Sequence, residues 1–295
     1  MTRGTQTPHT VAILGAGLIG GSIGLRLKSH QLCKRVIGCA RQETTLQTAL
    51  GVGAIDEGFQ RPEDAVQDAD IVFIATPVAD VLPTFERILP HLPDRAIVTD
   101  VGSTKVEIVA CATRIVGNDP ARVEFIGGHP LAGSEKSGPG AARADLFEGA
   151  TWVLTFTDRN TALALQTLGD LVESLGARTL RMTPEEHDEI VAFTSHLPHI
   201  AACALANAAG RTPGKRERIG KLIATGFRDA TRLADGSPEL WRQICMTNRE
   251  PILQALQEMR GQLNDAIAFL KSEDAEALTQ WLQSAAATRA RLVEQ

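Results

Sequence analysis

The 295-residue chain contains no tyrosine, and its aromatic residues are nine Phe and three Trp, 4% of the whole. Without Tyr, no phenol can act as acid, base or oxyanion donor in this protein. Cysteine is sparse and unpatterned. Cys33, Cys39, Cys111, Cys203 and Cys245 are an odd number with no CxxC pair, and most have apolar neighbours. That argues against a disulfide framework or zinc cage and for reduced thiols in a cytoplasm. Positive charge is not in excess: 30 basic against 35 acidic residues give a net −5, so the electrostatic footprint of a nucleic-acid binder is missing. The most apolar stretch, Val11 to Leu25, holds five glycines and a serine and ends at Arg26, short of the ~20 apolar residues of a membrane span. Met1 to Thr10 is polar, without a hydrophobic signal segment. Neither a membrane partner nor export is therefore expected. Internal repeats and low-complexity tracts are absent too.

What is present is 43% hydrophobic and 22% charged residues, the composition of a globular chain of about two domains. The first part alternates β-rich runs with helical patterns. Strands are expected near Thr10–Leu14, Arg35–Cys39, Ile71–Ala75, Ala96–Asp100, Glu124–Ile126, Thr151–Phe156 and Arg178–Arg181. Continuous apolar runs such as IVFIA, lacking in/out alternation, suit a sheet covered on both faces. The alternation predicts an α/β fold with a doubly wound, mostly parallel sheet. After Met182 the pattern turns helical. Thr183-Pro184-Glu185-Glu186 reads as a capping box opening a long helix that Gly210 can stop, and Ser237-Pro238 opens another. Ile252, Leu256, Met259, Leu263 and Leu270 fall at a/d-like spacings, which suggests helix-on-helix packing or a dimer seam. The expected division is a dinucleotide-binding domain over 1–182 and an all-helical C-terminal domain over 183–295.

Gly15-Ala16-Gly17-Leu18-Ile19-Gly20 is a GxGxxG directly after the first strand and opening a helix. In that context the glycines serve a tight turn, close approach of a pyrophosphate, and close helix–strand packing. The second strand leads into Ala40-Arg41, with Ala where an NAD-type ribose acid is expected. Arg41 can accept a 2′-phosphate, so NADP is favoured over NAD, with Glu43 as the competing ribose ligand. Three further segments follow strand ends, where an open α/β sheet places its ligand crevice: Ala75-Thr76-Pro77, Asp100 to Lys105, and Gly127 to Gly133. Thr76 and Pro77 are thereby candidate cofactor contacts. His129, between flexible glycines just beyond a strand, is placed to exchange a proton. Taken alone, Ser103 reads most simply as a helix N-cap and His129 as a hydrogen-bonded loop histidine. His187, His196 and His199 share one predicted helix with Asp188 and Glu189. At about 100° per residue, positions 187 and 196 face opposite sides, and Pro198 disturbs the turn between the latter two. No metal site is expected.

GAGLIGGSIGLRLK, DADIVFIATPV, IVTDVGSTK, FIGGHPLAGSEKSG, HDEIVAFTSHLPHIAA and GFRDATRLADGSPELW occur in this order. Together they resemble the prephenate/arogenate dehydrogenase family, the oxidoreductases of tyrosine biosynthesis. The resemblance implies oxidative decarboxylation of prephenate or arogenate with hydride transfer to NAD(P)+. It implies that His129 of GGHP is the catalytic histidine that takes the proton of the ring 4-hydroxyl, and that Ser103 of DVGS hydrogen-bonds the same hydroxyl. It further implies that Arg232 of GFRDATR anchors a substrate carboxylate, that His196 of SHLPH lines the pocket, and that Glu135 of AGSEKSG stands at its mouth. Arg228, four residues before Arg232, would share its face if the segment is helical. The helical domain is then expected to complete the pocket and form a homodimer.

The resemblance leaves the substrate open between prephenate and arogenate, the AGSEKSG segment leaning to prephenate. Nor is there room here for the regulatory or chorismate mutase domain that some relatives carry. Two other readings compete. One is a dehydrogenase of the β-hydroxyacid type, which would be expected to place a catalytic lysine in the helical domain. The other is a catalytically inactive NADP-binding sensor, disfavoured by the joint presence of His129, Ser103 and Arg232.

Overall fold

The computed structural model describes residues 8–117, 122–133, 136–211 and 216–293. Its first part runs β1 (Thr10–Leu14), α1 (Leu18–Ser29), β2 (Arg35–Cys39), α2 (Glu43–Gly51), β3 (Glu57–Phe59), α3 (Pro62–Ala65), β4 (Ile71–Ile74), α4 (Val78–Ile88), β5 (Ala96–Asp100), α5 (Val106–Val116), β6 (Val123–Pro130), β7 (Thr151–Thr155), α6 (Ala162–Ser174) and β8 (Arg178–Met182). The sheet order is β3-β2-β1-β4-β5-β6-β7-β8. The strands from β3 to β6 pair in parallel, β7 is antiparallel to β6, and β8 is parallel to β7. This is the doubly wound, Rossmann-type sheet that the apolar runs predict. Val11 and Ile13 join one core with α1, α2 and α6, while Ala12 and Leu14 join another with α3, α4 and α5. Both faces are thus covered, which is why the strands show no polar side.

Two features depart from the sequence expectation. β3 was not anticipated, since Glu57-Gly58-Phe59 offers no apolar run and only half-buried residues. β6 is also longer than expected. Val123–Ile126 pair with β5, then Gly127–Pro130 continue the strand and pair with β7 instead. His129 therefore sits inside a strand, opposite Val153, and not on a flexible glycine loop.

The chain after β8 is helical: α7 (Pro184–Val191), a π turn (Ala192–His196), α8 (Leu197–Gly210), α9 (Arg216–Leu222), α10 (Thr225–Thr231), a 3₁₀ turn (Arg232–Asp235), α11 (Pro238–Thr247), α12 (Arg249–Lys271) and α13 (Ala275–Val293). The Thr183 hydroxyl accepts the Glu186 N–H at 3.1 Å, with Pro184 at the first helical position. The run Pro184–Gly210 is long and apolar enough, by length and composition alone, to cross a membrane. Here, however, His187, Asp188, His196 and His199 on it are buried in protein contacts, which is not the pattern of a lipid-facing helix. The apolar core of this part is thin: Ala192, Ile252 and Ala255 form its buried cluster. No described residue of α13 is buried.

Candidate active site

The crevice lies beyond the carboxyl ends of the parallel strands, where β1, β4, β5 and β6 each deliver one of the segments singled out above. At the end of β1, Gly15 has φ +107°, and a Cβ there would come within 2.4 Å of the Ala75 carbonyl oxygen. A Cβ at Gly20 would come within 2.2 Å of the Gly15 carbonyl oxygen, so α1 can sit this close to the turn only with glycine there. Gly17, by contrast, faces open space and caps α1 with no side-chain hydrogen bond. Leu18 and Ile19 form the first turn, whose N–H groups are left for an anion. Beyond β4, the Thr76 hydroxyl oxygen is buried without a partner among the described residues, and exposed Pro77 precedes α4. An open cleft of about 960 Å³ begins at Leu18 and continues along Gly133, Lys136, Ser137, Arg143 and Leu146. A free helix terminus, an orphaned hydroxyl and a glycine cradle fit a dinucleotide.

Beyond β2, Arg41 is exposed and makes no ion pair among the described residues. Glu43 is engaged elsewhere, accepting from Gln47 Nε2 at 2.7 Å and Gln60 Nε2 at 3.1 Å.

The chemical centre is built around His129. Its Nδ1 lies 2.8 Å from His187 Nε2, and His187 Nδ1 lies 2.7 Å from Asp188 Oδ1. The Asp188 carboxylate also accepts the backbone N–H groups of Lys105 at 2.8 Å and Val106 at 2.9 Å. It thereby caps α5 from the helical part of the chain. Lys105 is fully buried and paired with Asp100, whose carboxylate also accepts the N–H groups of Gly102 at 2.8 Å and Gly128 at 3.1 Å. At Gly128 a Cβ would meet the Asp100 carbonyl oxygen at 2.4 Å, so the glycine before His129 holds β6 tightly against β5. Burial, reinforced by His187, Lys105 and His196, pushes His129 well below the usual histidine range and keeps it neutral at physiological pH. Burial likewise draws the Lys105 ammonium down from the usual lysine range, with Asp100 opposing.

Ser103 is half-buried in the loop after β5. It is not the cap of α5: that helix begins at Val106, and Lys105 is its N-cap residue. His196 lies on the π turn, within 3.0 Å of Asn248 Nδ2, and the same nitrogen donates to the Asp188 carbonyl at 2.8 Å. An amide nitrogen can only donate, so His196 Nδ1 accepts and its Nε2–H remains as a donor. Burial lowers the His196 pKa to about 4, leaving the ring neutral. His187 and His196 thus converge on one network, contrary to the opposite faces expected from a uniform 100° per residue. The π turn between them widens the helix, so each of its residues advances by a smaller angle.

Arg228 lies in the last turn of α10 and Arg232 opens the 3₁₀ turn that follows. Both are exposed and neither pairs with Asp229 or Asp235 among the described residues. These elements pack on α8. A few residues on, Gly236 abuts Trp241, which stacks on His199 at 3.6 Å between ring centroids and meets His196 edge-on at 6.1 Å. Arg232 is thus placed on the flank of the histidine cluster. Glu135 lies outside the described residues. His187, Asp188, Asn248 and Trp241 were not assigned to the site from sequence. The HD pair directly after the capping box was the visible signal for the first two.

Comparison with known proteins agrees with this geometry. The family "Prephenate dehydrogenase, nucleotide-binding domain" matches residues 23–181, and "Prephenate dehydrogenase, dimerization domain" matches 183–284. The chain is 36% identical to the prephenate dehydrogenase of Bacillus subtilis over 95% of its own length and 75% of that protein. Among solved structures, Synechocystis arogenate dehydrogenase superposes with a TM-score of 0.85 at 33% identity, covering 96% of this chain and 99% of that one. Prephenate dehydrogenase from A. aeolicus, in complex with hydroxyphenyl propionate and NAD+, gives 0.89 at 30% identity, covering 96% and 98%. By both halves of its sequence and by its fold, the chain belongs to the prephenate dehydrogenase family of oxidoreductases.

Proposed function

We propose that this chain oxidatively decarboxylates prephenate, arogenate or both, His129 acting as the base. The observation that carries the reading is a buried imidazole on β6 whose Nδ1 is held by His187, on a chain matched by both family domains. A nicotinamide dinucleotide bound at Gly15–Gly20 supplies the hydride-accepting ring. His129 takes the proton of the substrate 4-hydroxyl as hydride leaves C4, and Ser103 orients that hydroxyl. The bond to the ring carboxylate then breaks, its electron pair aromatises the ring, and carbon dioxide departs. Arg232, with Arg228 beside it, holds a substrate carboxylate through the planar guanidinium fork. The neutral His196 offers an N–H donor, and Glu135 stands at the pocket mouth. Residues 1–182 serve the dinucleotide, and 183–295 complete the pocket. The free cysteines of the described residues suit a cytoplasmic setting.

NADP+ is the preferred acceptor, because Arg41 stands free at the end of β2 while Glu43 is held by two glutamines. The test is turnover of prephenate and arogenate, each with NAD+ and NADP+, followed by reduced-cofactor absorbance. NADP+ should give the higher kcat/KM, and Arg41→Ala should lower it about tenfold, the worth of one charge-assisted contact, without touching NAD+. An NAD+ preference would remove the role given to Arg41. No turnover in any combination would refute the activity.

The thin helical core calls for a second copy of the chain. Leu263, Ile267 and Leu270 on α12, with Leu282 and Leu292 on α13, are 49–72% exposed in one chain, a patch that typically marks an interface. Sedimentation at micromolar concentration should give a homodimer of twice 31.6 kDa; a single monomeric species would contradict it.

A further inference from the structure

We propose that His187 and Asp188 form with His129 a closed proton store, which holds the substrate's hydroxyl proton during hydride transfer and returns it to the same oxygen. The inference rests on the reaction proposed above. Its geometric basis is independent of the substrate.

The tautomers follow from the contacts. A carboxylate only accepts, so His187 donates Nδ1–H to Asp188 Oδ1 across 2.7 Å. With its proton on Nδ1, the His187 ring has a lone pair at Nε2, which accepts from His129 Nδ1–H across 2.8 Å. The remaining lone pair of His129 is on Nε2, the position a base needs. When Nε2 takes the hydroxyl proton, the Nδ1 proton can pass to His187, whose imidazolium then lies directly against Asp188. The charge is moved from a ring faced by Lys105 to a ring faced by a carboxylate. Among the described residues, the charged or titratable groups facing the pair are Asp100 at the end of β5, Lys105 at the N-cap of α5, Asp188 on α7 and His196 on the π turn.

Among the described residues the store has no outlet, since His187 and Asp188 are each 1% exposed and the carboxylate is filled by two backbone N–H groups besides His187. The reaction requires none. Hydride leaves C4 and the hydroxyl proton goes to His129. The breaking carboxylate bond leaves its electrons in the ring, and the phenolate so formed takes the proton back. Substrate and oxidised cofactor give phenol, carbon dioxide and reduced cofactor, with no net proton. His187 is in this scheme a positioning residue that acts through His129.

His187→Gln separates this from simple orientation. A glutamine carbonyl can accept the His129 Nδ1–H and hold the ring, but it cannot take a proton at neutral pH. The variant should lose about tenfold or more in kcat, with KM and cofactor Kd unchanged. Its acidic limb of kcat/KM should move to lower pH, because His129 must then hold the proton alone, buried and faced by Lys105. Wild-type kcat and limb, or a loss equal at all pH values without a moved limb, would overturn the store. In the wild-type chain, imidazole nitrogen NMR at neutral pH should find His129 and His187 both as Nδ1–H tautomers. An Nε2–H tautomer at His129 would overturn the proposal even if the variant fails to fold. If the wild-type enzyme turns over neither substrate, the activity is refuted while the NMR still decides the relay.

Discussion

His129→Asn lowers kcat by about 10²- to 10⁴-fold, the span that a general base contributes, while cofactor Kd and the melting temperature stay near those of wild type. The size of the loss follows from the setting of the ring. Burial holds His129 well below the usual histidine range, so it is present as a base at physiological pH but is intrinsically a weak one. In the proposed relay, the proton it takes is handed on to His187, whose ring lies against Asp188. An asparagine can fill part of the space and accept a hydrogen bond, but it has no basic nitrogen. With no tyrosine in the chain, no phenol is available to take over the proton. The two measurements must be made together. Loss of kcat with intact cofactor binding locates the defect at the proton, whereas parallel loss of both would indicate collapse of β6. A kcat within tenfold of wild type would remove His129 as the base.

Much of the sheet was legible because its signals are local. IVFIA and GAGLIG each state strand or turn within a few residues, and the glycines at 15 and 20 make the tight turn and the close helix packing that their spacing implies. The capping box at Thr183 was equally local. What escaped depends on partners distant in sequence. β3 is a strand only because β2 pairs with it. Pro130 is a strand residue because β7 arrives antiparallel, more than twenty residues later, to pair with the second half of β6. The start of α5 is set by Asp188, 82 residues beyond Val106, and no residue near Ser103 signals it.

The histidines show the same limit. His187 and His196 would face opposite sides of a uniform α-helix, and the π turn at Ala192–His196 breaks that uniformity. Its cause lies in what the helix packs on. Asn248, at the α11–α12 junction, ties the Asp188 carbonyl to the His196 ring, and the helix takes the form that lets both reach it. GGHP and SHLPH carry the expectations for His129 and His196, whereas the HD pair at His187 and Asp188 gains its connection to His129 from distances alone.

Arg232→Ala should raise KM for prephenate about 10- to 100-fold and lower kcat far less. A charge-assisted hydrogen bond to a carboxylate contributes ~1.5–3 kcal/mol, and each 1.4 kcal/mol is tenfold. The lower part of that range is the better expectation if the site stays as open as it is in one chain, because Arg232 is exposed and water and salt screen an open pair. Closure against substrate or a second copy would raise it. Salt therefore supplies an internal check. The wild-type KM should climb with ionic strength, since a doubly anionic substrate meets a free guanidinium, and the variant should be much less sensitive. Arg232→Lys should recover only part of the loss, because an ammonium keeps the charge without the bidentate fork. The arginine one turn earlier is the alternative anchor. If Arg232→Ala leaves KM unchanged and Arg228→Ala raises it, the carboxylate is held from the end of α10 and not from the 3₁₀ turn. If both single variants act and the double variant exceeds their product, the two guanidinium groups share one carboxylate, each partly covering for the other's loss.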